Sequence, residues 1–255
     1  MSGLAFDNPK VQRLRRLIGR RSARHGEHRF VIEGPLLVTE AVRSGWTIEE
    51  QFVPAGGGGA IAGAGQVREL APGVFERLGS TQTPQAPIAV AEMRCRGAAD
   101  LLADASWVVV LQRIRDPGNL GTVIRSAEAA GADAVVVTPE SVDPFAPKVV
   151  RASAGALFHV PVVEATLGDV AAAGLRLVGT TSHDPAGATV PYVDADLTGR
   201  LAIVLGNESD GVIVDDAEMI DRWVTIAHRG RSESLNLAMA ATLLAFEVAR
   251  RRDEA

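Results

Sequence analysis

The stretch WVVVLQRIRDPGNLGTVIRSAEAAGADAVVV, residues 107–137, decides how this chain is built. Trp107 to Leu111 is a continuous apolar run rich in β-branched residues, the composition of a strand buried on both faces. Asp116-Pro117-Gly118 is turn chemistry, and Asn119 suits a helix N-cap. An apolar helix is expected over 120–130, stopped by Gly131, before a second apolar run over 134–138. Strand, turn, helix and strand make a βαβ unit with parallel strands. That local account leaves Arg125 unexplained, a guanidinium six positions after Asn119 on a helix flanked by apolar strands. Open α/β sheets bind ligands beyond the carboxyl ends of their strands, where the start of this helix would lie. An amide and a guanidinium meeting there would suit a sugar hydroxyl or a phosphate.

Working outward, the alternation continues. Strands are expected at 107–112, 134–138, 176–180, 201–205 and 223–226, and helices at 120–130, 146–156, 167–173, 214–220 and 234–252. This pattern predicts an α/β fold with a mainly parallel sheet covered on both faces. The final helix carries Leu235, Ala238, Met239, Thr242, Leu243 and Phe246 on one stripe and ends in Arg250-Arg251-Arg252. Ahead of residue 107 the pattern is weaker. A basic amphipathic helix is expected over 9–24, a strand over 30–32, a helix over 36–43 and a strand over 88–93. The glycine-rich stretch 55–65 lacks the Lys-Ser/Thr of a phosphate loop and reads as a surface loop. We place domains at 1–95 and 107–255, joined by a linker at 96–106.

With 47% hydrophobic and 22% charged residues, the 255-residue chain has the composition of a soluble globular protein. No early apolar run resembles a signal peptide, and no run of about 18 apolar residues could span a membrane, so a cytoplasmic location is expected. The single cysteine, Cys95, excludes an internal disulfide framework and a cysteine-rich zinc site; no metal is expected. Net charge is −5, yet its distribution is uneven. Residues 1–100 hold 13 Lys/Arg against 10 Asp/Glu, whereas 101–255 hold 13 against 21. Eight cations crowd the first 29 residues, opposed only by Asp7 and Glu27. Such a cluster is either a solvated helix face or a phosphate-binding surface. On the second reading Arg13, Arg16, Arg20, Arg21 and Arg24 are the candidate contacts to the phosphates.

Two more motifs carry chemistry. Leu205-Gly206-Asn207-Glu208-Ser209-Asp210-Gly211 ends an apolar strand, and Gly206 would admit a ligand close to the backbone. Ser234-Leu235-Asn236-Leu237 opens the last helix, with Ser234 as a possible cap and Asn236 in a first turn whose N–H groups are available to a ligand. The Rossmann dinucleotide fingerprint is missing, because Gly118-Asn119-Leu120-Gly121 lacks its spacing.

Taken in order, the three motifs resemble the SpoU family of RNA ribose 2′-O-methyltransferases, also called the TrmH family of the SPOUT superfamily, over about residues 107–250. The resemblance implies a C-terminal trefoil-knotted, mostly parallel sheet with helices on both faces, and a homodimer formed through that domain. It implies S-adenosylmethionine as cofactor, held at Thr180, Gly206, Ile226 and Leu235. It also implies an active site of Asn119, Arg125, Glu208, Ser234 and Asn236. Residues 144–161 resemble a family segment that would bring Lys148, Arg151 and Ser153 near RNA. The family often has Ile-Pro-Met before the third motif; here Ile226-Ala227-His228 stands there, and His228 reads as a solvent-exposed loop residue. Residues 30–38 and 83–90 resemble a smaller N-terminal RNA-gripping α/β domain similar to ribosomal protein L30e.

The combination implies methylation of a ribose 2′-OH in 23S rRNA. The alternatives are a tRNA 2′-O-methyltransferase, a non-catalytic RNA-binding protein of the same fold, and an α/β nucleotide enzyme of other chemistry such as a dehydrogenase. In the family the first-motif arginine is held to activate the 2′-OH. A free guanidinium keeps its proton, with a pKa above about 12. The expectation is therefore that Arg125 positions and polarises the hydroxyl, with Asn119 holding Arg125.

Overall fold

The computed structural model describes residues 3–79, 83–94, 96–181, 189–207, 211–212, 214–231 and 234–254. The chain divides into two compact units, residues 1–94 with 143–159, and residues 95–142 with 160–255. The sequence division had assigned 143–159 to the second domain. In the structure those residues pack within the first unit.

The first unit begins with α1 (Pro9–Gly19), capped by the Asn8 side chain, which accepts a hydrogen bond from the Lys10 amide at 3.0 Å. The helix expected over 9–24 is broken. Arg20 is extended (φ −129°, ψ 120°), and α2 (Arg21–Glu27) restarts after it. The break lets Arg24 turn back on α1, where its Nη1 donates to the carbonyls of Leu17 and Ile18 at 2.8 and 3.1 Å. The last carbonyls of a helix have no partner inside it, so this guanidinium satisfies groups the helix cannot. There follow β1 (Arg29–Glu33), α3 (Pro35–Arg43), β2 (Ile48–Val53), β3 (Gln66–Glu69), α4 (Val74–Leu78) and β4 (Ile88–Glu92). The sheet order is β1-β4-β2-β3; β4 is antiparallel to both neighbours, and β3 is parallel to β2. Val11, Leu14, Leu17, Val31, Phe52 and Ile88 are among the side chains of its core.

The sequence pattern did not reveal β2, β3 or α4. In β2 the run is interrupted by Glu49, Glu50 and Gln51, and Glu50 and Gln51 are buried nonetheless. Glu50 is neutralised by Lys10 and Arg68, each at 3.0 Å. Gln51 holds the glycine-rich loop through the Ile61 amide and the carbonyls of Ile61 and Ala64. Buried polar groups satisfied by distant residues hide a strand from any periodicity. The returning segment supplies α7 (Pro147–Ala152) and a 3-10 turn at Ala156–Phe158, anchored where Trp46 Nε1 donates to the Phe158 carbonyl at 3.0 Å.

The second unit follows the alternation. It contains α5 (Ala98–Asp104), β5 (Trp107–Leu111), α6 (Pro117–Ala129), β6 (Ala134–Val137), β7 (Val162–Glu164), α8 (Leu167–Ala172), β8 (Arg176–Thr180), β9 (Thr189–Pro191), β10 (Leu201–Leu205), α9 (Val214–Ala217), β11 (Arg222–Thr225) and α10 (Leu237–Asp253). Seven strands form one sheet in the order β7-β6-β5-β10-β8-β11-β9, and every neighbouring pair is parallel. The expectation of a mainly parallel sheet holds, with β7 and β9 added at its edges. Both are three residues long, too short to show a period. Among the described residues no helix is long and apolar enough to cross a membrane, and no group of three or more His, Cys, Asp or Glu could hold a metal ion.

Candidate active site at the carboxyl edge of the parallel sheet

Parallel strands end together, so strand order decides what meets at the edge. β10 pairs with β8 and β8 with β11, with Val204 level with Gly179 and Val224 level with Thr180. Thr180, Gly206 and Ile226 therefore stand at the carboxyl ends of three adjacent strands. β5 ends beside β10, where the Gln112 amide donates to the Leu205 carbonyl at 2.9 Å. Gln112 is fully buried, and its Nε2 donates to Asp216 Oδ2 at 2.5 Å. Sequence reading took it only as a strand end; a polar residue closing an apolar run was the available signal.

The chain turns from β5 into α6 at Asp116, whose carboxylate accepts from the Asn119 amide at 2.7 Å. Asp116, not Asn119, is the N-cap, and the helix starts three residues earlier than expected, with Pro117 in its first turn. That leaves the Asn119 side chain for another task. Its Oδ1 accepts from Asn236 Nδ2 at 3.1 Å. Asn236 in turn caps α10, its own Oδ1 accepting from the amides of Ala238 and Met239 at 2.9 and 3.3 Å. Ser234 is thus not the cap; it lies exposed two residues earlier. The expectation that Asn236 stands inside the first turn is corrected likewise. One hydrogen bond ties the first motif to the third and brings two helix N-termini to the same sheet edge. Farther along, the hydroxyls of Ser126 and Thr242 meet at 2.7 Å, holding α6 against α10.

Arg125 does not meet Asn119. Six residues on a helix amount to about 9 Å of rise and about 240° of rotation. Arg125 is exposed and has no hydrogen bond or ion pair among the described residues. Glu208 lies outside the described residues. The type of Gly206 is also required by its own loop. A Cβ there would sit 1.8 Å from the Gly211 carbonyl carbon, so the missing side chain makes room for the loop's own return. That return is closed by paired backbone hydrogen bonds between Asn207 and Gly211, each 3.1 Å. His228 is exposed.

The candidate RNA contacts all fall in the first unit. Arg24 is corrected: its side chain is buried and donates through Nε and Nη2 to Asp143 Oδ2, both at 2.7 Å. Arg13 is held by Glu27 at 2.6 Å and by both oxygens of Glu49 at 2.6 and 3.0 Å. Those carboxylates, Glu49 foremost, raise its pKa further, and Arg13 holds the Glu49 carboxyl below the usual carboxylate range. Arg16 lies 3.9 Å from Glu27. Arg20, Arg21 and Lys148 are exposed, and Arg151 is half-buried. Ser153 is fully buried and donates to the Val150 carbonyl at 2.7 Å, which removes it from RNA.

The profile of the SpoU rRNA Methylase family matches residues 106–246. This chain belongs to that family. A second profile, the MRM3-like substrate binding domain, matches residues 8–89. Among the relatives is the 23S rRNA (guanosine(2553)-2′-O)-methyltransferase RlmP of Bacillus subtilis, 34% identical over 86% of this chain and 88% of its own length. The SpoU methyltransferase AviRb of Streptomyces viridochromogenes, solved with S-adenosylmethionine, superposes with a TM-score of 0.86 at 29% identity, covering 97% of this chain and 99% of AviRb. An S-adenosylmethionine-bound rRNA methyltransferase from Sinorhizobium meliloti superposes with a TM-score of 0.84 at 31% identity, covering 98% and 97%. The SpoU fold thus accounts for the parallel sheet, and S-adenosylmethionine is the cofactor of its solved neighbours. The residues here fit an adenosyl group. Thr180, Gly206 and Ile226 stand at the ends of adjacent strands, and Ile226 and the exposed Leu235 are apolar side chains of the kind that pack on a purine.

Proposed function

We infer that this protein transfers the methyl group of S-adenosylmethionine to a ribose 2′-OH of ribosomal RNA, with 23S rRNA as the substrate. The Asn236–Asn119 hydrogen bond carries the reading: it joins the first and third motifs beside the strand ends of Thr180, Gly206 and Ile226. S-adenosylmethionine supplies an electrophilic methyl group when bound. Thr180, Gly206, Ile226 and Leu235 hold it, largely through backbone groups. Asn119 and Asn236 fix the two helix starts against each other. Arg125, exposed, grips the nucleotide by its oxygens and orients the 2′-OH. Glu208 and Ser234 complete the site. RNA is gripped by the first unit, through Arg16, Arg20, Arg21, Lys148 and Arg151.

The reading includes a homodimer and the trefoil knot. On α10, Met239, Leu243 and Phe246 are exposed on one stripe while Leu237, Ala241, Leu244 and Val248 are buried beneath it. A second copy covering that stripe would remove apolar surface from water. The entry of β10 between β5 and β8, late in the chain, supports a threaded path. The protein would work in the cytoplasm, where its substrate is made.

The test is tritiated-methyl transfer to separate pools of unmodified 23S rRNA, 16S rRNA and tRNA, with Arg125→Ala as control. Label confined to 23S rRNA, at one position resistant to alkaline cleavage and lost in the variant, is expected. Label in tRNA alone would move the substrate, and full turnover by Arg125→Ala would remove the role given to Arg125. Light scattering at the dimer mass is expected for the wild type, and at the monomer mass for Phe246→Asp.

A further inference from the structure

The eight cations of the first 29 residues look like one basic surface in the sequence, but carboxylates neutralise much of it. Lys10 pairs with Glu50, Arg13 with Glu27 and Glu49, Arg24 with Asp143, and Arg29 with Glu49 and Glu92. Farther on, Arg68 pairs with Glu50. Two arginines are treated differently. The guanidinium carbons of Arg15 and Arg77 lie 4.5 and 3.9 Å from the centre of the same ring, that of Phe6. Both side chains are exposed, and neither pairs with a carboxylate among the described residues. Arg15 has only the neutral Gln12 side chain, at 3.1 Å. Asp7, beside Phe6, and Glu76, beside Arg77, form no ion pair with them among the described residues.

A shared ring holds the two cations within one screening length of each other, about 10 Å at 0.1 M salt. Their mutual repulsion is relieved by a polyanion that brings a phosphate to each. The ring attracts each guanidinium and restricts it before the anion arrives, which lowers the ordering cost of binding. Phe6 is itself placed by structure: the Gln12 side chain donates to its carbonyl at 2.5 Å, and Leu4 is hydrogen-bonded to Glu69 and Ala71. The arrangement is therefore built from three separate stretches of chain, α1, α4 and the residues ahead of α1.

We propose that Arg15 and Arg77, held over Phe6, form a phosphate clamp through which the first unit binds the backbone of its RNA substrate. The proposal rests on the methyltransferase reading above and names where the polyanion is gripped. Arginine offers two parallel donors to a phosphate and a flat face to a base, so the same pair serves the sugar-phosphate strand and an unstacked nucleotide. The clamp adds affinity without sequence information, because phosphate contacts position and do not specify. Neither arginine touches the reacting atoms, so the clamp governs KM for RNA and leaves kcat alone.

The experiment measures filter binding of a 23S rRNA transcript by the full-length protein at several salt concentrations, then methyl transfer under RNA saturation. Wild type is compared with Arg15→Gln/Arg77→Gln and with Arg15→Lys/Arg77→Lys. The glutamine pair is expected to weaken RNA binding about tenfold and to lower the salt slope by about 1.4 for two single-strand phosphates, with kcat and S-adenosylmethionine affinity unchanged. The lysine pair keeps the charge and is expected to recover most of the salt slope, which a folding defect would not allow. Wild-type affinity and slope in the glutamine pair would overturn the clamp while leaving the methyltransferase reading intact. No RNA binding by the wild type would overturn both.

Discussion

Arg24 in the first unit and Arg125 in the second both stand on helices, yet the molecule spends them in opposite ways. Arg24 is sealed beside Asp143, its remaining hydrogens on the carbonyls of α1. Arg125 stands exposed on α6 with no partner among the described residues. Burying a charge is tolerable only when it is paired, and a buried pair is then strongly damaged by loss of one member. Leaving a cation bare in water is cheap, and it remains available to a substrate. The contrast teaches that a basic sequence is no measure of a basic surface. Half of the cations at the start of this chain, Lys10, Arg13, Arg24 and Arg29, are paired closely with carboxylates, whereas Arg125 in the acidic half is exposed with no partner among the described residues.

That comparison breaks most sharply at Arg125. Arg125→Ala should lower methyl transfer by about a hundred- to a thousandfold, the order lost when one group stabilising the reacting centre is removed. S-adenosylmethionine affinity, by calorimetry, and the melting temperature should stay as in the wild type. Arg24→Ala should do the reverse. It leaves the buried Asp143 carboxylate with only the His25 ring and the Phe145 amide on its other oxygen and should cost about 3 kcal/mol in denaturant unfolding, with residual folded protein still turning over.

A smaller effect separates two jobs of one residue. Asn236→Ala removes the α10 cap and should cost about 1 kcal/mol, along with turnover. Asn236→Asp keeps an oxygen for the Ala238 and Met239 amides but has no donor for Asn119. Near-normal stability with impaired turnover is the expected result, and wild-type turnover by Asn236→Asp would reduce the bond to a structural tie.

The smallest effect lies in the surface network. Arg13 first, then Arg29, holds the Glu49 carboxyl below its ordinary range, against the opposing pull of partial burial. A carboxyl lowered in the folded state contributes stability above its unfolded pKa, about 4.3, and that contribution fades as pH falls through the folded value. Glu49→Gln should therefore melt lower than wild type at pH 7, by no more than about 1 kcal/mol for a pair this exposed. The gap should close as the pH drops below about 4. A gap that persists there would mean that packing, not charge, is what Glu49 contributes.

Legibility followed the same divide. In the second unit β5, β8 and β10 fell within a residue of their expected ends, because fully buried parallel strands must be apolar throughout. In the first unit β2 was invisible, since Glu50 and Gln51 are buried by partners far away in sequence. The single helix expected over 9–24 is broken at Arg20, and the pattern did not carry the contacts that follow, those of Arg24 with the carbonyls of α1. Of the candidate site, residue types at strand ends were readable, but their uses were not. Asp116, read as a turn residue, is the cap, Asn119, read as the cap, bonds Asn236 instead, and the type of Gly206 is required by its own loop as well.

By itself, then, the sequence determined the α/β alternation, the parallel sheet and the family, because burial on two faces and the three motifs are local properties of the chain. Tertiary structure alone decided which arginines are consumed and which remain available. It also decided that motifs more than a hundred residues apart meet through one pair of asparagines. Pairing between distant residues depends on where the folded backbone brings them, and no period or composition records that distance.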